Sequence, residues 1–264
     1  MRRLNATIKP LSISIFLLIV CCFISAAQVK PILGNRTVGI QPKGSILVPS
    51  NQLLQPEGFQ VYIPGRPVDL VLSKDEKLLF VKNMRSLDLI RVADRTVLQT
   101  LPYPASGASP TGIYLSSDNH RVYVTDATSH IHVASVNPSN VMQRERSITL
   151  PAPETGGVPV PCGFAVNEAE DKLWVTLSRS NAIAVVNLKD TSDIRLIPVG
   201  IAPYDIILGT SGKAYVTNLG GRRPAEGEVT YTSSGSQVLV DSVTGIANHG
   251  SVSVINLEKT KKKK

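Results

Sequence analysis

Ala214-Tyr215-Val216-Thr217-Asn218 decides how this chain is read, because it is the best-preserved of four copies of one pattern. Each copy opens on a Pro, passes through an apolar run and a turn, and reaches a lone aromatic in a β-branched run. A second alternating strand follows. The openings are Pro67-Val68-Asp69-Leu70, Pro110-Thr111-Gly112-Ile113, Pro161-Cys162-Gly163-Phe164 and Pro203-Tyr204-Asp205-Ile206. The aromatics are Phe80, Tyr123, Trp174 and Tyr215, spaced 43, 51 and 41 residues apart. A period of roughly 40–45 residues holding several short strands is the signature of a propeller blade. The expected fold is all-β: a β-propeller of four-stranded antiparallel blades, about four of them present.

Short β-branched and aromatic runs divided by Gly, Pro, Asn and Asp predict the strands. The first repeat gives 68–72, 78–81, 87–92 and 97–101, and the second gives 112–115, 121–125, 131–136 and 147–150. The third gives 163–166, 172–176, 182–188 and 194–199. The fourth has 204–208, 213–218 and 251–257, interrupted by an insert at 219–249 rich in Gly, Ser and Arg. Its fourth strand is missing, since the chain reads Glu258-Lys259-Thr260 and then four lysines. A spare outer strand is expected at 59–63, where Phe59, Val61 and Ile63 alternate. Pairing of 59–63 with 251–257 would close a four-bladed ring. The favoured expectation is instead an open arc whose end blades expose apolar faces and associate with one another. The abrupt lysine tail, 258–264, reads as the mark of a truncated frame.

Residues 1–27 form a secretory signal peptide by pattern. Arg2, Arg3 and Lys9 precede an apolar run at 11–24, and Ser25 and Ala27 supply the small residues of a cleavage site. A retained anchor is disfavoured because the run falls short of a bilayer span. A lipoprotein box at Leu18-Ile19-Val20-Cys21 is disfavoured because Val20 is too bulky before the Cys. The expected compartment is periplasmic or extracellular, with membrane contact only through an uncleaved signal peptide. Of the net charge of +8, three charges sit in the signal segment and five in the tail, leaving a neutral body. A nucleic-acid binder gathers positive charge on its folded surface, so that class is set aside. After cleavage Cys162 is the lone cysteine, without disulfide partner or metal-ligand spacing, and reads as a small buried hydrophobe. Residues 28–57 read as an irregular polar arm, and 58–257 as the partial propeller.

The repeats resemble the YVTN-repeat β-propellers, the bacterial YncE-like family. Gly200-Ile201-Ala202-Pro203, Tyr215–Asn218 and Val252-Ser253-Val254-Ile255-Asn256 match its blade consensus, and Ser73-Lys74-Asp75-Glu76 and Ser116-Ser117-Asp118-Asn119 match its turn loosely. The likeness covers about residues 58–257 and implies fold more than function, since propellers host many activities. Gly65-Arg66-Pro67-Val68-Asp69 and Gly220-Gly221-Arg222-Arg223-Pro224 also look like exported proteins in which a seven-bladed propeller precedes a phosphoesterase domain. That resemblance implies the N-terminal half of an incomplete seven-bladed ring. The metal ligands and nucleophile of such a phosphoesterase do not follow Leu257.

The candidate chemistry is sparse. Asp69 and Asp205 hold the same place in their repeats, at the entry of the innermost strand. There they could bind a cation or basic ligand in the channel, or fix the loop through nearby backbone N–H groups. Arg66, and Arg222 and Arg223 in their glycine-flanked loop, could meet a phosphate or carboxylate with a forked contact, or simply be solvated. His130 and His132 alternate on one strand face, with His120 in the preceding turn; the choice is a two-histidine metal site or a solvated strand. No GxSxG, P-loop or HExxH pattern occurs, and no Glu lies on the four predicted inner strands, which counts against a lactonase. The ligand-binding candidates are thus Arg66, Asp69, Asp205, Arg222 and Arg223, with no catalytic residue, metal ligand or cofactor expected. The expected function is an exported non-catalytic module binding a small molecule or envelope protein. The alternative is the propeller part of a hydrolase.

Overall fold

A computed structural model describes residues 37–42, 44–104 and 107–257. The predicted signal segment, with Cys21 and Cys22, and the lysine tail lie outside these residues. The chain divides into two compact units, Met1–Gln60 and Val61–Lys264. In the first, where an irregular arm is expected, three two-residue strands pair antiparallel: β1 (Gly39–Ile40), β2 (Ile46–Leu47) and β3 (Leu53–Leu54).

The second unit is built of propeller blades. Blade 1 holds β4 (Pro67–Leu72), β5 (Leu78–Asn83), β6 (Ser86–Arg91) and β7 (Thr96–Pro102). Blade 2 holds β8 (Ala108–Leu115), β9 (Arg121–Asp126), β10 (His130–Val136) and β11 (Met142–Thr149). Blade 3 holds β12 (Pro161–Val166), β13 (Lys172–Leu177), β14 (Ala182–Asn187) and β15 (Ile194–Pro198). Each is a four-stranded meander in chain order. Blade 4 begins with β16 (Pro203–Leu208) and β17 (Lys213–Asn218). The insert folds back as a separate hairpin, β18 (Thr230–Ser233) and β19 (Ser236–Leu239), before β20 (Ser251–Asn256) completes a sheet ordered β16-β17-β20. No helix occurs among the described residues.

The predicted strands fall on these elements, with one exception. Residues 59–63 form no strand. Alternation alone does not make a strand; a neighbouring edge must supply the ladder hydrogen bonds, and β20 has no strand beyond it among the described residues.

The core lies between blades rather than within them. Phe80, Leu87 and Leu89 of blade 1 pack on Leu115, Val122 and Val124 of blade 2. Tyr123, Ile131 and Val133 of blade 2 pack on Leu173 and Val175 of blade 3. Trp174 and Ile183 of blade 3 pack on Ile206, Ala214 and Val216 of blade 4. Strand alternation explains this: on β13, Trp174 and Thr176 face forward while Leu173 and Val175 face back.

A polar link repeats across each junction, two residues beyond the aromatic. Thr125 Oγ1 lies 3.1 Å from the Cys162 carbonyl, and Thr176 Oγ1 lies 3.0 Å from that of Tyr204. In blade 1 a lysine takes this place: Lys82 Nζ donates to the Thr111 carbonyl at 2.5 Å, to Ser109 Oγ at 3.0 Å and to Thr125 Oγ1 at 2.8 Å. Burial pushes its ammonium down to about 7, although Asp69, Cys162 and Asp126 draw it back up. These bonds join equivalent positions, so the blades stand in phase.

Candidate functional site

Antiparallel pairing sets the start of each inner strand beside the end of the second: Pro67 opposite Asn83, Ala108 opposite Asp126, Pro161 opposite Leu177 and Pro203 opposite Asn218. With the blades in phase, these ends form one rim. Asp69, Asp205, Arg66, Arg222, Arg223 and the whole insert belong to it.

At its inner edge the two aspartates serve the repeat. Asp69 accepts from its neighbour Leu70 N–H at 2.9 Å, then crosses to blade 2, where Gly112 N–H donates at 2.7 Å and Thr111 Oγ1 at 2.9 Å. Asp205 accepts from Ile206 N–H at 2.9 Å. Its carboxylate presses on Gly163 of blade 3 so closely that any side chain there would collide with it. Desolvation raises the Asp205 carboxyl above its ordinary value, the Ile206 N–H opposes this, and the charge of Asp69 adds to it. Cys162 between them is buried, and its thiol is pushed up to about 11 by desolvation.

The glycine and asparagine of the repeat motif also explain each other. Asn83 Oδ1 accepts from Arg66 N–H at 2.8 Å. The equivalent Asn218 fills the space over Gly200, where a Cβ would stand 2.6 Å from its Cγ. Beyond its backbone, Arg66 brings only Nη2 to 3.5 Å from Met84 Sδ.

In blade 2 Asp126 occupies the asparagine place. It is 1% exposed and gathers Thr128 and both predicted histidines. His130 Nδ1 lies 3.0 Å from Asp126 Oδ2, and His132 Nε2 lies 3.4 Å from the same oxygen. The rings stack at 5.7 Å, and Tyr103 stacks on His132 at 5.8 Å. Burial pushes the Asp126 carboxyl up, but hydrogen bonds from His132, the His130 N–H and Thr128 outweigh it and hold the group far below the usual range. Of the pair, His130 is part-exposed while His132 is largely buried, and His120 turns away to the Val136 carbonyl. On the outer strand Ser147 Oγ lies 2.8 Å from His132 Nδ1, beside a cleft of about 130 Å³. Ser147 and Asp126 carried no signal in sequence beyond their strand positions.

Over blades 3 and 4 the insert is clamped down. Arg223 Nε donates to the Val199 carbonyl and Nη2 to that of Asn181, both at 2.8 Å. Arg222 forks onto Glu228, with Nη1 at 2.7 Å from Oε2. Hydrogen bonding to Arg222 holds the Glu228 carboxyl down at about 2. Both arginines are thus engaged within the protein. The β18–β19 hairpin turns through Ser234 and Gly235, both at positive φ, the geometry of a two-residue primed turn. Asn181 Nδ2 donates to Ser236 Oγ at 2.8 Å and ties the hairpin to blade 3. Between them lies a half-open cavity of about 390 Å³, within the range of small-ligand sites. Ile201, Val238, Val240, Arg179, Ser233 and Tyr231 are among its lining residues.

No family model matches the chain, and no curated protein matches it. Solved structures do. The chain is similar to hydrazine synthase of Kuenenia stuttgartiensis, at 15% identity and a TM-score of 0.51, over 78% of this chain and 50% of that one. The Cps50 (Swd1) β-propeller domain of Myceliophteria thermophila gives 11% identity and 0.48, over 66% and 62%. An auxiliary nutrient binding protein of Bacteroides thetaiotaomicron gives 8% and 0.49, over 69% and 52%. The chain spans about half the length of the first solved structures it matches. The likeness is one of fold.

Proposed function

We propose that this chain is an exported, non-catalytic propeller module of the YVTN-repeat type, which binds a small molecule on the rim where its inner strands begin. The observation that carries the reading is the cavity of about 390 Å³ between the clamped insert and blades 3 and 4. Nothing in the four-fold repeat requires that insert. Its clamp of Arg223, Asn181 and Ser236 nonetheless fixes it over a concave, largely apolar surface with a few polar groups, as in ligand sites generally. Export rests on the charged, apolar and small-residue order of residues 1–27. Cleavage after Ala27 leaves Gln28 as the first residue of the mature chain; intact Met1 in a soluble cytoplasmic pool would contradict it. Native mass spectrometry of the purified chain tests the binding. A small molecule is expected to ride with it at one-to-one and to be lost in Ala247→Trp, which adds bulk to the cavity lining. A chain that carries no ligand, or an Ala247→Trp variant that keeps it, contradicts the reading.

One observation favours a second reading, a hydrolase. Ser147 Oγ lies 2.8 Å from His132 Nδ1, and His132 Nε2 stands 3.4 Å from Asp126 Oδ2 without a well-formed hydrogen bond, so the order of nucleophile, base and orienting carboxylate is present but its second link is open. A fluorophosphonate probe separates the two. Labelling of Ser147 that His132→Gln abolishes would favour the hydrolase; absence of labelling favours the binding module.

A further inference from the structure

Arg179 is the polar group of the cavity that the fold leaves unanswered. It sits in the turn between β13 and β14, and its base is fixed: its own N–H donates to the Pro159 carbonyl at 3.0 Å, and the Ser178 N–H donates to that of Val160 at 3.1 Å. Its side chain makes no hydrogen bond or ion pair among the described residues, and Nε is shut away from solvent without a partner. Buried donors are almost always paired, whereas the exposed Arg222 and Arg223 of the insert are engaged by Glu228 and by backbone carbonyls. No acidic side chain lines the cavity to serve Arg179. Gly157 borders the guanidinium, a Cβ there standing in ordinary contact 3.6 Å from Nη1.

We propose that Arg179 is the anion-binding residue of this cavity, which takes a small ligand bearing a carboxylate or phosphate on an apolar or aromatic body. The inference rests on the cavity being the binding site. A guanidinium presents paired N–H donors that match either group, and a site built before the ligand arrives loses little on binding. The apolar side chains of Ile201, Val238 and Val240 in the lining accommodate the body of the ligand, Tyr231 adds a ring and Ser233 a hydroxyl.

The test is calorimetric titration of the full chain with benzoate, phenyl phosphate and the neutral benzamide. At least one anion is expected to bind about tenfold or more tightly than benzamide, the scale of one charge-assisted contact. Arg179→Gln should remove that preference, so that anion and benzamide bind alike, while Arg179→Lys retains part of it. Whichever anion keeps the larger margin identifies the headgroup. Anions that bind no better than benzamide, or that are indifferent to Arg179→Gln, overturn the assignment of Arg179. If Ala247→Trp also leaves every probe binding unchanged, the cavity itself is not the site; if it abolishes them all while Arg179→Gln does nothing, only the anion claim falls.

Discussion

Blades 3 and 4 are built from the same motif and differ in what stands on their forward side. In blade 3, Trp174, Thr176 and Ile183 face forward, and blade 4 covers them: Thr176 and Ile183 are 0% exposed. Their equivalents in blade 4 are Tyr215, Thr217 and Val252, by position in strand and register. There the same surface lies bare, with Val252 and Val254 each 58% exposed and Ile207 64%. Thr217 meets no carbonyl of a further blade among the described residues and turns back to its own inner strand, accepting from Asp205 N–H at 3.1 Å. Equivalent positions thus act as core or as surface according to what lies alongside. An isolated blade is half of two interfaces.

The largest expected effect comes from placing a charge at the paired positions. Ile183→Asp buries an unpaired carboxylate and should cost several kcal/mol or prevent folding. Val252→Asp should change stability by about 0.5 kcal/mol or less, and urea unfolding of both would show it. Equal losses would mean that the two flanks are alike after all.

Lys82 extends the comparison to blade 1, where a long cation replaces the linking threonine. Its folded value lies near 7, against an ordinary value of 10.5, so above pH 7 the unfolded chain holds a proton that the folded chain has released. Stability should therefore rise with pH from about 7, by at most ~1.4 kcal/mol per pH unit, or ~2 kcal/mol by pH 9. Lys82→Met should flatten that slope in chemical unfolding curves measured between pH 7 and 9. An unchanged slope would show that the burial of this ammonium is not what sets it.

The smallest effect concerns the link itself. Thr176→Val leaves the Tyr204 carbonyl without its hydroxyl partner and should cost about 1–2 kcal/mol, whereas Thr217→Val should cost nearly nothing. A matching loss at both positions would place the energy within the blade and not at the junction.

The blades were legible in sequence because their signals are local. The turn that Ser73 and Asp75 predict closes through a 2.7 Å hydrogen bond between them, and Ser116 and Asp118 repeat it at 2.5 Å. The lone aromatic in its β-branched run marks the second strand of each blade. The candidate site was less legible. Asp69 and Asp205 could be placed on the rim from their shared position, but not the partners that engage them. Asp126 was hidden because it occupies the place of an asparagine in the motif and meets His132 only through the register of β9 on β10. Arg179 was hidden for a different reason: a lone arginine in a turn gains meaning only when an insert some fifty residues later folds over it. Residues 59–63 show the converse, a sound local pattern that lacked the neighbour needed to become a strand.

Hydroxyl-radical footprinting of the full chain, read residue by residue, tests most directly whether blade 4 carries an uncovered copy of the surface that blade 3 buries. Val252, Val254 and Ile207 should oxidise as exposed aliphatic residues do, while Ile183, Ile206 and Val216 stay protected. Protection of Val252 and Val254 equal to that of Ile183 would contradict the account.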